Sequence, residues 1–328
     1  MTVSFKNNQE QLATRIKLKE QFKPAHIYKG WLNKKQILQL LENPELLFIS
    51  EYHSPMEELN TGAVDYTLNR INKAHHSFTD TRGRSIVIAV KERAFDTTDI
   101  DLKGRVLTSG VQSQAQTAHA SIMATIVAGA GNSSPFALGV APAALVSSID
   151  FTNLFPEAND FYTQKKICVQ NHSYGTVLEN FYGNEAVAYD ISAANQPTLL
   201  HVFSAGNSGT TTPSTGTYVG LTATANLTGN FKQSKNTISV SALDSIGRPM
   251  IAASRGPAYD GRVKPELSAY GEDGSSGAAA LVSGTIALLQ EAYMKKQGRL
   301  PTSDLVKAVL INSADDVGPT GIDYLTGY

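Results

Sequence analysis

The sequence has only one cysteine, little charge and no long apolar run. Because Cys168 is the only cysteine among 328 residues, an intrachain disulfide and a zinc site built on cysteines are excluded. Charged residues make up 17% of the chain, the formal net charge is -1 and no dense Lys/Arg cluster occurs, which disfavours binding to nucleic acid or to a membrane surface. No apolar run approaches the roughly 20 residues that a membrane helix needs. The composition indicates a globular chain, long enough for one large domain or for one large and one small domain.

The first 65 residues have the pattern of a small α+β unit. Residues 25–32 resemble a strand, residues 33–41 an amphipathic helix that Pro44 ends, and residues 46–49 a second strand. A polar stretch from Ser54 to about Asp65 is typical of a connector. We therefore predict an N-terminal domain over residues 1–65 and a larger domain over residues 66–328.

The larger domain contains short, nearly all-apolar segments separated by helical or loop stretches. These segments are predicted strands at residues 86–90, 144–149, 167–170, 199–204 and 237–242. Continuous apolar strands that alternate with helices indicate an α/β fold whose mostly parallel sheet is covered on both faces. In such a sheet, catalytic groups gather beyond the carboxyl ends of the strands.

Three segments carry side chains suited to catalysis there. Ser276 follows a glycine-rich turn and begins a helix that runs to about Lys296, so it is either an N-cap or a nucleophile at the positive end of a helix dipole. His119 lies at the start of a helix that is apolar on every side, where a hydrogen-bonded core histidine is the alternative to a general base. Asn207 follows an apolar strand, either as a plain turn residue or as a side-chain donor to an oxyanion.

Together these segments resemble the subtilisin-like serine proteases. The family's serine motif, Gly-Thr-Ser-Met-Ala-x-Pro-His-Val-x-Gly, aligns without a gap on residues 274–284 and assigns the nucleophile to Ser276 rather than Ser275. The family's histidine motif aligns on residues 119–124, its oxyanion motif on residues 204–209 and its substrate-pairing strand on residues 171–175. The resemblance spans about residues 85–328 and implies a subtilisin-like three-layer fold.

The acid of the triad departs from the family. The motif Val-Ala-Val-x-Asp-Thr-Gly-Ile-Asp aligns on residues 88–96, so Glu92 occupies the position of the catalytic aspartate and Asp96 matches a later position. Glu92 keeps the charge and adds about 1.5 Å of reach. The related serine-carboxyl peptidases place a Glu beside their serine but replace the oxyanion Asn with an acid, so Asn207 disfavours that class. The missing Gly, Met, Pro and His of the motifs are interpreted as changes in packing.

The resemblance implies a serine endopeptidase that works by acyl transfer. Ser276 would attack the peptide carbonyl, His119 would take its proton, Glu92 would orient the ring, and Asn207 with the Ser276 backbone N–H would bind the oxyanion. Six residues would line the cleft and pair with an extended substrate: Ser173, Tyr174, Gly175, Ser204, Ala205 and Gly206.

The N-terminal unit resembles the inhibitory propeptide of the family. In that case the connector would lie near the active site of the uncleaved chain, and the enzyme would be an exported zymogen, although the first twenty residues have no apolar signal-peptide core. The alternative is a permanent accessory subdomain. Because the family continues beyond the position of Tyr328, we expect the natural protein to be longer.

Two other functions are compatible with the sequence. Glu92 could have uncoupled the triad and left a peptide-binding scaffold, or the substrate could be an ester rather than a peptide. No cofactor is expected; structural calcium is common in the family, but no Asp-rich ligand loop supports it here. The expected partners are therefore protein or peptide substrates and the chain's own N-terminal unit, without nucleic acid or membrane.

Overall fold

The computed structural model describes residues 1–57, 66–271 and 273–328. Its strands are β1 (Thr2–Phe5), β2 (Lys19–Phe22), β3 (Ile27–Lys29), β4 (Leu46–Ser50), β5 (Met56–Glu57), β6 (Val87–Glu92), β7 (Val106–Leu107), β8 (Leu145–Asp150), β9 (Ile167–His172), β10 (Tyr174–Gly175), β11 (Leu200–Ser204), β12 (Ile238–Leu243) and β13 (Leu267–Tyr270). Its helices are α1 (Glu10–Arg15), α2 (Lys34–Leu41), α3 (Ile71–Ser77), α4 (Ala118–Ala128), α5 (Asn159–Lys165), α6 (Asn184–Asn195), α7 (Ser275–Gln297) and α8 (Ser303–Asn312). None of these described helices is both long and apolar enough to cross a bilayer.

The N-terminal unit is a four-stranded antiparallel sheet in the order β2-β3-β1-β4, with α1 and α2 as its crossovers. This is the β-α-β-β-α-β arrangement of ferredoxin-like domains. The predicted elements at residues 25–32, 33–41 and 46–49 correspond to β3, α2 and β4, and Asn33 closes a capping box with Gln36 at the start of α2. The sequence analysis missed β1, α1 and β2.

Seven parallel strands form the central sheet of the larger unit, in the order β13-β12-β11-β9-β6-β8-β7. The five predicted strands are confirmed as β6, β8, β9, β11 and β12, while β7 and β13 were not predicted. Because the strand order reverses between β6 and β9, the carboxyl ends of these two strands border the crevice where ligands bind in open α/β sheets.

Successive residues of β6 enter different cores, which shows that the sheet is covered on both faces. Ile88 and Val90 pack in the main core with α4 and α7, whereas Val87 and Ala89 pack with Tyr162 of α5 on the other face. The predicted three-layer α/β fold is therefore confirmed. Helix α7 is buried along most of its length against α4 and the sheet, as its run of small residues allows.

The N-terminal unit packs on the larger unit beside α6. Phe22 and Ile27 share an apolar cluster with Phe155 and Ala188, and the rings of Phe48 and Phe181 lie 5.8 Å apart. Strand β5 then leaves the unit and pairs with β10 in antiparallel orientation. Most of the predicted connector, residues 58–65, lies outside the described residues. The division at residue 65 stays a prediction.

Candidate active site

Four elements bring the predicted catalytic side chains to the crevice at the carboxyl edge of the sheet. Glu92 is the last residue of β6, and His119 is the second residue of α4. Asn207 follows the end of β11, and Ser276 is the second residue of α7. These residues are separated by up to 184 positions in the sequence, so only the strand order of the sheet explains their proximity.

Glu92 is bonded to His119 in the way that a triad acid would be. The His119 Nδ1 atom lies 2.8 Å from Glu92 Oε2, and both side chains are almost completely buried, with 3% and 0% of their surface exposed. The extra methylene of Glu92 therefore does not prevent the contact. The contact fixes the ring so that Nε2 is the nitrogen available for proton transfer.

The His119 ring also faces a carboxylate that the sequence analysis did not identify. Asp273, in the turn before α7, places its Oδ2 atom 3.2 Å from His119 Nε2 and is buried. The two atoms lie within ion-pair distance but not in the orientation of a good hydrogen bond. Burial alone would lower the pKa of His119, yet the two carboxylates together raise the pKa to about 10. In this conformation the ring is an imidazolium at neutral pH, which cannot act as a base.

Ser276 lies three positions after Asp273 in the chain, and its hydroxyl bonds to neither His119 nor Glu92 in the described contacts. Its Oγ donates to the backbone carbonyl of Ser173 at 3.4 Å, a long contact, while Ser173 Oγ donates to the Ser276 carbonyl at 2.9 Å. These contacts tie the start of α7 to the segment that follows β9. Asp273, rather than Ser276, therefore occupies the position beside His119 Nε2.

Asn207 is oriented by the residue before the predicted nucleophile. Its Oδ1 accepts hydrogen bonds from the backbone N–H and the hydroxyl of Ser275, each at 3.1 Å, and Ser275 Oγ also accepts from the Gly206 N–H at 3.0 Å. Within the described ranges the buried Asn207 Nδ2 has no acceptor. The amide is thus held by its oxygen and keeps its N–H donors for a ligand.

The helix supplies a second donor at the same place. As one of the first residues of α7, Ser276 has a backbone N–H without an acceptor inside the helix. It points along the positive end of the helix dipole, which favours a developing negative charge. Asn207 and the start of α7 therefore provide two donors beside Ser276.

The predicted substrate-pairing strand is paired in the structure with the chain's own connector. In β10, Tyr174 lies opposite Glu57 and Gly175 lies opposite Met56. Because the strands are antiparallel, β5 runs toward Ser173 and the start of α7. Ser204, Ala205 and Gly206, the other predicted cleft residues, end β11 and lead to Asn207, with Gly206 at φ 112°.

Asp96, the second acid in the segment aligned with the family's aspartate motif, has a side chain that bonds within its own turn. Asp96 accepts hydrogen bonds at Oδ1 from the N–H and hydroxyl of Thr98, so it closes its own turn rather than orienting His119. Asp273 could have been suspected from the two acids of the sequence Glu272-Asp273, three or four positions before the serine. Residue 272 lies outside the described residues. In the ranges that the structure describes, no group of three or more His, Cys, Asp or Glu side chains is arranged to hold a metal ion.

Comparison with solved structures shows the same architecture. The chain is similar to fervidolysin from Fervidobacterium pennivorans, described as a keratinolytic enzyme related to subtilisin, with a TM-score of 0.67, 18% identity and coverage of 100% of this chain and 59% of that chain. It is similar to the prenylagaramide maturation protease PagA, with a TM-score of 0.60, 20% identity and coverage of 78% of this chain and 92% of that chain. For the patellamide maturation protease PatA the TM-score is 0.56, the identity 19% and the coverage 72% and 90%. At these identities the similarity shows the fold.

Comparison with sequence families gives the assignment. Residues 83–328 match the Subtilase family of S8 peptidases, and this range begins just before β6 and includes Glu92, His119, Asn207 and Ser276. The match covers far more than half of the chain. The chain therefore belongs to the subtilase family and is a subtilisin-like serine endopeptidase.

Proposed function

We propose that the chain hydrolyses peptide bonds through an acyl-enzyme on Ser276, with His119 as general base and Glu92 as the residue that orients it. The observation that carries the proposal is the 2.8 Å contact between Glu92 and His119 beside the start of α7. A carboxylate on Nδ1 leaves Nε2 to accept the serine proton and stabilises the imidazolium that forms. Glu92 performs this role with a longer side chain than aspartate.

Acyl transfer then proceeds in two stages, acylation of Ser276 and hydrolysis of the acyl-enzyme. Ser276 Oγ attacks the carbonyl carbon as its proton passes to His119 Nε2, and the carbonyl oxygen becomes the oxyanion held by Asn207 Nδ2 and the Ser276 N–H. The imidazolium gives its proton to the leaving amine as the C–N bond breaks. Water, deprotonated by the same nitrogen, releases the acyl group and restores the Ser276 hydroxyl.

The described conformation fits a latent form of this enzyme. For the first step, the Asp273 carboxylate must leave Nε2 and the Ser276 hydroxyl must turn from the Ser173 carbonyl to that nitrogen. Until then His119 stays protonated, since two carboxylates face it. We assign to Asp273 the role of a residue that keeps the base protonated, and so slows the first step, until its carboxylate moves away from Nε2.

The N-terminal unit is proposed to act as an intramolecular inhibitor. The segment that follows it, Met56–Glu57, pairs with β10 in the antiparallel orientation that an extended substrate would adopt. A further contact joins the two units nearby, between His53 Nε2 and Glu179 Oε1 at 3.7 Å. This pairing with a peptide strand also favours peptides over esters as substrates. A zymogen of this kind is suited to an exported protease, which is the localisation that we propose.

Self-processing tests the proposal. The purified full chain is expected to cut itself within the connector that follows Glu57, whereas Ser276→Ala stays intact, because only the variant lacks the nucleophile. Intact-mass spectrometry during incubation measures both. Ser275→Ala is the matched control and should still be processed. Equal processing of the wild type and Ser276→Ala would contradict the assignment of the nucleophile.

A further inference from the structure

Lys232 is a fully buried lysine close to the cleft. It lies in a short helical turn between β11 and β12, and 0% of its surface is exposed. Its Nζ atom donates to Thr228 Oγ1 at 2.7 Å and lies 3.5 Å from Ser204 Oγ. Ser204 is one of the residues predicted to line the substrate cleft, so the ammonium group lies directly behind that lining.

Thr228 connects the two walls of the cleft. Its backbone N–H donates to the Ala205 carbonyl at 3.3 Å, and its carbonyl accepts from the Thr176 N–H, also at 3.3 Å. Thr176 directly follows β10, the strand that pairs with the connector, while Ala205 belongs to the segment that leads to Asn207. Thr228 therefore spans the floor between the two segments that flank a bound substrate strand.

The Thr228 hydroxyl lies directly beneath Gly206, in the segment that leads to Asn207. A Cβ atom built on Gly206 would be only 2.3 Å from Thr228 Oγ1, so Gly206 leaves just enough space for this hydroxyl. The same hydroxyl receives the short hydrogen bond from Lys232. The layer beneath the segment Ser204–Gly206 thus contains two hydroxyl groups, of Ser204 and Thr228, in contact with a buried ammonium group.

A positive charge in this position favours one class of side chain. The space between the two segments that Thr228 spans lies next to the proposed oxyanion donors, so we place there the residue whose carbonyl is attacked, the P1 residue. Because charges interact strongly where water is excluded, an ammonium group there attracts a carboxylate and opposes a lysine or arginine. Hydroxyl groups on the floor supply further donors to a carboxylate.

We propose that Lys232 makes this peptidase selective for substrates with an acidic P1 residue. The proposal rests on the proposed function, since it names the substrate class of the same site. By sequence, the connector that pairs with β10 is itself acidic there, with Glu57 followed by Glu58, of which residue 58 lies outside the described residues. Cleavage of the connector after a glutamate would be the chain's own example of this specificity.

Peptide turnover tests the specificity directly. Fluorogenic peptides that differ only at P1 (Glu, Gln, Lys or Leu) are offered to the full chain, with and without Met56→Pro and Glu57→Pro, which remove two N–H donors from β5. We expect kcat/KM for Glu to exceed that for Gln by about 100-fold. In Lys232→Met the Glu/Gln ratio should fall to about one while Gln turnover is retained, and Lys232→Arg should keep part of the ratio.

The outcomes separate this inference from the proposed function. A wild-type preference for Leu or Lys at P1, or a Glu/Gln ratio that Lys232→Met leaves unchanged, would overturn the acidic specificity alone. Absence of any cleavage, together with absence of fluorophosphonate labelling at Ser276, would overturn the proposed function and the specificity with it. If Lys232→Met does not fold, the P1 profile of the wild type decides.

Discussion

At the scale of single residues, the site depends on how each polar group is already occupied. The Asn207 carboxamide is held by Ser275 through its oxygen, which aims its nitrogen at the crevice. Ser275 and Ser276 are adjacent serines with different environments: the first bonds to Gly206 and Asn207, and the second makes one long contact to Ser173. This difference supports the assignment of Ser276 as the nucleophile, since its hydroxyl is the one free to turn.

Replacing Asn207 tests the oxyanion assignment. Asn207→Ala is expected to lower kcat by about 100- to 1,000-fold with KM within a few-fold, as loss of one such donor does in a subtilisin, because the donor acts mainly in the transition state. Ser275→Ala removes a hydroxyl at the same place but no oxyanion donor, so it should cost less than about tenfold. Steady-state kinetics on one peptide measures both. A larger loss in Ser275→Ala than in Asn207→Ala would contradict the assignment.

Replacing Asp273 tests whether its carboxylate raises the pKa of His119. The charged groups that face the His119 ring in the described residues are Glu92, at the end of β6, and Asp273, before α7. Both raise the pKa of His119, to about 10 in this conformation, and the neutral ring is the active form, so the activity of the uncleaved chain should rise with pH toward that value. Asp273→Asn removes one negative charge, lowers this pKa and shifts the acid limb of kcat/KM to lower pH.

The expected size of the Asp273→Asn effect and the choice of its control both follow from the charges around His119. At pH 7 the rate of Asp273→Asn should exceed that of the wild type by about tenfold or more, since each unit of pKa changes the neutral fraction tenfold. Asp96→Asn is the matched control, because the Asp96 carboxylate bonds to Thr98 rather than to the histidine. Loss of activity in Asp273→Asn at every pH would show instead that this carboxylate is required for the chemistry.

The residues that sequence reasoning found and missed differ in a physical way. Ser276, His119 and Asn207 lie in segments whose spacing follows a family motif, and Glu92 is found by alignment with the same motif. Asp273 lies outside the aligned motifs, and its role comes from the turn that places it against His119 Nε2. Motifs identify the groups of a site, whereas its protonation state depends on neighbours that only the fold brings together.

At the scale of elements, the pairing of β5 with β10 determines access to the cleft. Two residues of the connector pair with β10, the strand to which a substrate would bind. Because they are tethered to the same chain, their effective concentration at this strand is high. Strands as short as β5 and β10 have no periodicity of their own. For this reason the sequence indicated a connector near the active site but not its register, Tyr174 opposite Glu57.

Breaking this pairing should open the cleft. Met56→Pro with Glu57→Pro is expected to raise the initial kcat/KM of the full chain for peptides by about tenfold or more, because proline cannot donate to the ladder. The matched control, Met56→Ala with Glu57→Ala, keeps both N–H groups and should change the rate much less. Hydrogen exchange at Tyr174 and Gly175 reports the opening directly. Unchanged rates in the proline variant would mean that the connector does not block substrate.

Other elements were predicted to different degrees, for reasons of burial. The five strands found from the sequence are buried on both faces, so most of their residues are apolar or small and the pattern can be recognised. Strand β2 reads Lys-Glu-Gln-Phe and is mostly exposed, and α1 has only six residues, so neither has a pattern that can be recognised. The long helix α7 was predicted to within a residue or two at both ends, since Gly298 ends it in the left-handed conformation.

At the scale of the whole molecule, the order of the seven strands joins distant segments into one site. The reversal between β6 and β9 sets Glu92 beside the segment of Ser173, and helices α4 and α7, packed together on one face, add His119 and Ser276. The N-terminal unit packs on α6 and sends β5 into the cleft. The fold thus accounts for both the assembled site and its proposed latent state.

The most direct test of this account is labelling with a fluorophosphonate, which reacts only with an activated serine. It is applied to the full chain, to the variant with Met56→Pro and Glu57→Pro, and to Ser276→Ala and Ser275→Ala made in that variant, followed by mass spectrometry of the modified peptide. The account predicts labelling at Ser276, faster in the proline variant, retained in Ser275→Ala and absent from Ser276→Ala. Labelling at Ser275, or no labelling in the proline variant at any pH up to 10, would contradict it.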